Sequence, residues 1–106
     1  MNISIVEKKS RVVLAKAEAG SPSLLKFEGN LYFSHDATNS ENLKVTARTY
    51  TCPHKGTCNW VDFVDKNGET VKDVAWVYPD PKPGSEAIKD RYGFYEGTRG
   101  ATCQEG

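Results

Sequence analysis

The segment Asp65-Lys66-Asn67-Gly68 is the tightest local constraint in the chain, because Asn-Gly readily supplies the positive φ angles that hairpin turns require. On its N-terminal side, residues 59–64 (NWVDFV) alternate, with Val61 and Phe63 opposing Trp60 and Asp62. On its C-terminal side, residues 71–78 supply the returning strand. An antiparallel sheet follows. The rest of the chain keeps the same grammar. Ile3 and Ile5 alternate with polar neighbours, and residues 12–14 resume after a charged stretch, which reads as a first hairpin. Leu24, Leu25 and Phe27 lead into Glu28-Gly29-Asn30, and Leu31, Tyr32 and Phe33 follow, giving a second strand pair around a Gly-containing turn. Residues 44–51 read as a strand with Val45 and Ala47 on one face and Lys44, Thr46 and Arg48 on the other.

Between these strands the punctuation is polar or proline-rich. Residues 34–42 (SHDATNSEN) favour a loop with one helical turn, since such side chains bond their own backbone. Pro79, Pro81 and Pro83 remove ladder donors within five residues and keep residues 79–84 out of any sheet. Residues 85–90 are expected to form one short helix near 84–90 with Ser85 as its N-cap. Residues 92–95 form a last strand, and the polar residues 97–106 are expected to be a flexible tail. The sequence shows no internal repeat.

With 106 residues the chain is expected to be one domain, 1–106, with room for one hydrophobic core. Lys plus Arg number 14 and Asp plus Glu number 14, so no charge excess exists to neutralise phosphates, and nucleic acid is not expected as a partner. No apolar run approaches the roughly 18 to 20 residues that cross a bilayer, so no membrane partner is expected. The start has no basic region followed by a long apolar run and reads as mature protein. Three cysteines, Cys52, Cys58 and Cys103, form an odd and sparse set. That usage points to a reducing, cytoplasmic setting.

The densest chemistry lies in Thr51-Cys52-Pro53-His54-Lys55-Gly56-Thr57-Cys58, which places thiol, imidazole and ammonium around a forced turn. A nearby cation favours thiolate, so His54 or Lys55 could activate Cys52. The competing reading makes Cys52 a small packed residue, with Pro53 and Gly56 shaping the turn, which is the commoner fate of cysteines. Zinc would need Cys52, Cys58, Cys103 and His54 or His35, but five residues separate the first pair and Cys103 stands alone, so no metal and no cofactor are expected. Lys55-Gly56-Thr57 lacks the upstream glycine and following helix of a phosphate-binding loop. Glu28, Asp62 and Asp80 are available carboxylates, each read as an exposed charge by default. Trp76 and Tyr78 share one strand face, where Tyr32, Trp60, Tyr92 and Phe94 could join them, either as core or as a stacking surface for a ligand.

Taken in order, Glu28-Gly29-Asn30-Leu31-Tyr32-Phe33, Cys52-Pro53-His54-Lys55-Gly56-Thr57 and Ala75-Trp76-Val77-Tyr78-Pro79-Asp80-Pro81-Lys82, with a closing segment 88–95, resemble domain-of-unknown-function family 427 over about residues 12–99. The resemblance implies a small, mostly bacterial single-domain protein whose two antiparallel sheets meet at an angle, a β-tent shared with methionine sulfoxide reductase B and the cereblon ligand-binding domain. Those relatives often hold zinc with two C-x-x-C pairs, which this family lacks. It implies no established reaction. A nucleotidyltransferase-like label attached to the family finds no support, because no G-S followed by paired aspartates is present. Ser34, His54 and Cys58-Asn59-Trp60 depart from the family pattern.

Three functional readings result. The first is a non-catalytic module binding a small molecule or peptide end, its pocket formed by the C-P-x-K-G loop (Cys52, His54, Lys55, Gly56) with Glu28, Tyr32, Trp76 and Tyr78. The second is a thiol-dependent enzyme using Cys52, Lys55 or His54, and Glu28. The third is an assembly role through a sheet edge, in a monomer or homodimer.

Overall fold

The computed structural model describes residues 1–106 and contains ten strands. In chain order these are β1 (Asn2–Glu7), β2 (Val13–Glu18), β3 (Leu24–Phe27), β4 (Asn30–Phe33) and β5 (Leu43–Cys52). There follow β6 (Gly56–Val64), β7 (Thr70–Val77), β8 (Tyr92–Tyr95), β9 (Thr98–Arg99) and β10 (Thr102–Glu105). They form two antiparallel sheets, ordered β2-β1-β10-β9 and β3-β4-β8-β7-β6-β5. The mainly β, two-sheet architecture expected from the sequence is the one observed.

Turn chemistry sets the hairpins. Between β3 and β4 the turn residues Glu28 and Gly29 have φ of 48° and 82°, both positive, while Phe27 pairs with Asn30. That is the tight two-residue turn that matches strand twist. At Asp65–Gly68 the geometry differs from a two-residue turn. Gly68 alone takes positive φ, its N–H bonds the Asp65 carbonyl at 3.0 Å, and the Asp65 N–H bonds the Glu69 carbonyl at 2.9 Å. Asp65 Oδ1 also accepts from the Asn67 and Glu69 N–H groups, so its carboxylate shapes the wider loop.

Alternation then divides the large sheet into two faces. Leu31 and Phe33 of β4, Val61 and Phe63 of β6, Ala75 of β7, and Tyr92 and Phe94 of β8 face the small sheet and pack with its Ile5, Leu14, Ala15 and Ala17. Tyr32, Cys58, Trp76 and Tyr78 point the other way, joined by Ile88 from the segment after the prolines. Tyr92 and Phe94 therefore do not join the tryptophan cluster. They sit one residue out of phase with it, and Gly93 and Tyr95 take the places facing Trp76.

Two expected features are corrected. Residues 85–90 contain only a 3-10 turn, Glu86–Ile88, and Ser85 makes no side-chain cap. The segment buries one anchor, Ile88, rather than a helical stripe, and it must return at once to the sheet: Tyr78 bridges Lys89, and the Asp90 N–H bonds the Tyr78 carbonyl at 3.0 Å. Residues 97–106 are no frayed tail, since β10 pairs along β1 and β9 pairs with β10. Their polar composition hid this because a short strand's ladder is made by backbone groups, and its innermost side chain is the small Thr102. No helix is long and apolar enough to cross a membrane.

Candidate functional site

On the face turned away from the small sheet lies a hollow of about 360 Å³. It is lined by Asn30, Tyr32, Tyr50, Cys52, Lys55, Cys58, Trp60, Trp76, Tyr78 and Tyr95. Its centre is one cross-strand row. Tyr32 pairs with Gly93, Gly93 with Trp76, and Trp76 with Trp60, so three rings and a glycine stand side by side on four strands. The glycine is what lets the rings close. A Cβ on Gly93 would lie 2.7 Å from Tyr32 Cε2 and closer still to the Trp76 indole nitrogen. With that space free, Trp76 Nε1 donates to the Tyr32 hydroxyl at 3.1 Å, and Trp76 meets Tyr32, Trp60 and Tyr95 edge-on.

The C-P-x-K-G turn supplies the polar wall. Cys52 ends β5 opposite Gly56, which starts β6 at φ 107°. The proline segment braces this turn: Lys82 N–H bonds the Lys55 carbonyl at 2.9 Å, and Lys82 Nζ bonds the Pro53 carbonyl at 3.0 Å. Gly56 suits this position because φ of 107° is a backbone conformation that side-chain-bearing residues rarely adopt, while its ideal Cβ would stand in ordinary contact with the Asp80 carbonyl at 3.4 Å. Lys55 folds into the hollow with only 13% of its side chain exposed, and its Nζ meets Glu28 Oε1 at 3.2 Å. Burial works against its charge, but the Glu28 hydrogen bond and the facing Tyr32 and Cys52 groups prevail and raise its pKa.

Two thiols share the wall, and their pKa values are shifted in opposite directions. Burial pushes Cys52 up, yet the backbone N–H groups of Lys55 and His54 and the Lys55 ammonium outweigh it, leaving the thiol below its ordinary value. Burial dominates at Cys58, which faces the Tyr78 hydroxyl and is raised. Tyr78 and Tyr32 are likewise raised, mainly by burial, so both hydroxyls stay protonated donors across ordinary pH.

Of the residues singled out from sequence, Tyr32, Cys52, Lys55, Trp76 and Tyr78 line this hollow and Gly56 shapes its edge. Glu28 stands at the rim and reaches inward only through Lys55. His54 is corrected: its side chain is exposed and outside the lining, and only its backbone N–H faces Cys52. Asp62 is also not the exposed charge expected. It is buried, paired with Arg48, and accepts the Asp73 N–H at 3.0 Å. Sequence reasoning missed Asn30, Tyr50, Tyr95 and Gly93. The readable signal was Gly93, a glycine inside a predicted strand.

No three or more His, Cys, Asp and Glu side chains cluster in a way that could hold a metal ion. Cys103 lies on the small sheet, with its Sγ 3.4 Å from Arg11, and His35 stacks on Tyr92. The fold and the hollow thus define a small two-sheet β domain whose larger sheet is apolar on one face and polar-aromatic on the other. A family model described as Domain of unknown function (DUF427) matches residues 11–105, and the chain belongs to that family. None of the curated proteins matches it.

Proposed function

We propose that the protein is a binding module for a small planar ligand carrying an anionic or carbonyl oxygen, seated in the aromatic hollow beside the C-P-x-K-G turn. The observation that carries this reading is the Lys55 ammonium, drawn among aromatic rings and held by a single rim carboxylate. Aromatic walls with few convergent polar groups are the usual make-up of small-ligand sites, and about 360 Å³ is within their size range. Rings alone would also suit a cationic ligand. Lys55 inside the hollow and Arg99, 4.4 Å over the Tyr95 ring, oppose a positive guest.

Benzoate and benzylamine, matched in shape and opposite in charge, test the reading through Trp60 and Trp76 fluorescence. Benzoate is expected to give a saturable change and benzylamine none. Lys55→Met should weaken benzoate about ten- to hundredfold, the loss of one charge-assisted hydrogen bond. Equal response to both probes, or an unaltered Lys55→Met titration, would overturn it. Thiol-dependent catalysis is a second reading, favoured by the lowered Cys52 thiol. In that case Lys55 and two backbone N–H groups activate the sulfur, His54 takes no part through its ring, and Glu28 positions Lys55. Edge-to-edge assembly is less favoured, because β5 carries Lys44, Arg48 and a register break between Val45 and Thr49, features that obstruct strand addition. Three unpaired thiols support a reducing, cytoplasmic setting.

A further inference from the structure

We propose that Cys52 and Cys58 form a reversible dithiol–disulfide couple, in which a hydroperoxide oxidises Cys52 and Cys58 resolves it. This goes beyond ligand binding and stands whether or not the hollow takes a guest.

The geometry begins with strand register. Tyr50 pairs with Cys58 and Cys52 with Gly56, so the two sulfurs occupy diagonal positions on one face of the β5–β6 hairpin. Tyr50 and Trp60 stand in the same diagonal relation, and their ring centroids are 6.4 Å apart. Directly opposite Cys52 is Gly56, which has no side chain, so nothing on β6 projects between the thiols. Both sulfurs line the hollow, and Cys52 packs against the cluster that contains Cys58. Diagonal partners sit roughly 7–8 Å apart, just beyond the span of roughly 7 Å between α-carbons that a disulfide tolerates. Cys52 is the last residue of β5, so the cross-link requires the strand end to draw toward Cys58 against the bonds that Lys82 makes to the turn. The two thiols also differ in the way the chemistry needs: the lowered one is the attacking sulfur, and the raised one stays a thiol until a sulfenic acid forms.

In the first step the Cys52 thiolate attacks one peroxide oxygen. An S–O bond forms, the O–O bond breaks, and the leaving alkoxide takes a proton to become an alcohol. Sulfur is oxidised and the peroxide reduced. In the second step the Cys58 sulfur, giving up its proton, attacks the sulfenic sulfur. The S–S bond forms and the S–O bond breaks, with the oxygen departing as water. A small thiol reductant returns the pair to thiols by two exchange steps and leaves as its own disulfide.

The test treats the reduced full-length protein with hydrogen peroxide under nitrogen, then maps thiols and cross-linked peptides by mass spectrometry, with circular dichroism to verify each variant's fold. Wild type should lose two thiols and yield a Cys52–Cys58 cross-link that dithiothreitol reverses. Cys58→Ser should stop at a dimedone-trapped sulfenic acid on Cys52, Cys52→Ser should lose thiols about tenfold more slowly, and Cys103→Ser should behave as wild type. Oxidation first at Cys103, or a wild-type Cys52 that over-oxidises while Cys58 remains free, would overturn the proposal.

Discussion

The two faces of the six-stranded sheet are built from the same strands and end as different materials. Toward the small sheet, Leu31, Phe33, Val61, Phe63, Ala75 and Phe94 interlock, each at most 3% exposed. One residue away on each strand, Tyr32, Trp60 and Tyr95 meet Trp76 edge-on and leave a hollow. The first face is packed almost wholly by apolar side chains, with the Tyr92 hydroxyl its one polar tip. The second has hydroxyls, an indole N–H, two thiols and an ammonium around a space that their directional contacts keep open. Period-two alternation lets one sheet serve as core and as site, so the parity of a position decides what its substitution does.

The largest expected effect tests that parity directly. Phe94→Ala, on the packed face, should cost about 3–5 kcal/mol of stability, the sum of lost transfer energy and the cavity left behind. Trp60→Ala, a bigger truncation on the open face, should cost less, because Trp60 is only partly buried and already borders empty space. Urea unfolding of both variants checks the ranking. If Trp60→Ala proved the more damaging, the hollow would have to be counted as core.

Gly93 joins the two faces at one residue. Gly93→Ala should destabilise by about 1–3 kcal/mol, the usual cost of forcing atoms into a filled site, and should break the Trp76–Tyr32 hydrogen bond. A shift of indole emission with an unchanged far-ultraviolet spectrum would localise the damage to the open face. No change in emission would mean that the ring row does not depend on the missing side chain.

How much of this was legible beforehand follows from which forces are local. Alternation at residues 59–64 and 71–78, and turn residues at Glu28-Gly29, act over a few positions, so the strands could be read. Ser85 and the residues after it suit a helix, whereas the demand to rejoin the sheet beside Tyr78, which limits Glu86–Ile88 to a 3-10 turn, is tertiary. The pairing of β10 with β1 joins the chain's two ends and leaves no mark on the composition of residues 97–106. At the site, Cys52, Lys55, Tyr32, Trp76 and Tyr78 were accessible as conspicuous residue types. Tyr50 and Tyr95 were not, since their place depends on register across strands distant in sequence.

A smaller effect concerns Glu7, the buried carboxyl at the end of β1. Burial raises its pKa, but the N–H groups of Lys9 and Ser10 and the Ser10 hydroxyl win and lower it below 4.5. A carboxyl depressed in the folded state contributes stability that is complete above its unfolded value. That contribution disappears as pH falls through the lower folded value. Glu7→Gln should therefore cost about 1 kcal/mol near neutral pH and flatten the acid limb of the stability profile below about pH 4.5. An acid limb as steep as wild type would assign the pH dependence elsewhere.

The smallest expected change in stability falls at Tyr50, and it separates site from scaffold most sharply. Tyr50 lies on the edge strand β5, is 55% exposed, and touches Trp60 at the mouth of the hollow. An exposed side chain with one tilted aromatic neighbour contributes little to folding, so Tyr50→Ser should shift stability by no more than about 0.5 kcal/mol. Its ring still covers a guest from the open side, and removing that cover should weaken benzoate about three- to tenfold, the equivalent of about 1 kcal/mol of stacking and burial. A variant that folds as wild type and binds benzoate as wild type would move the ligand's position inward, onto Lys55 and Trp76. A variant that loses stability and affinity together would make the rim part of the core and remove the distinction between the two faces.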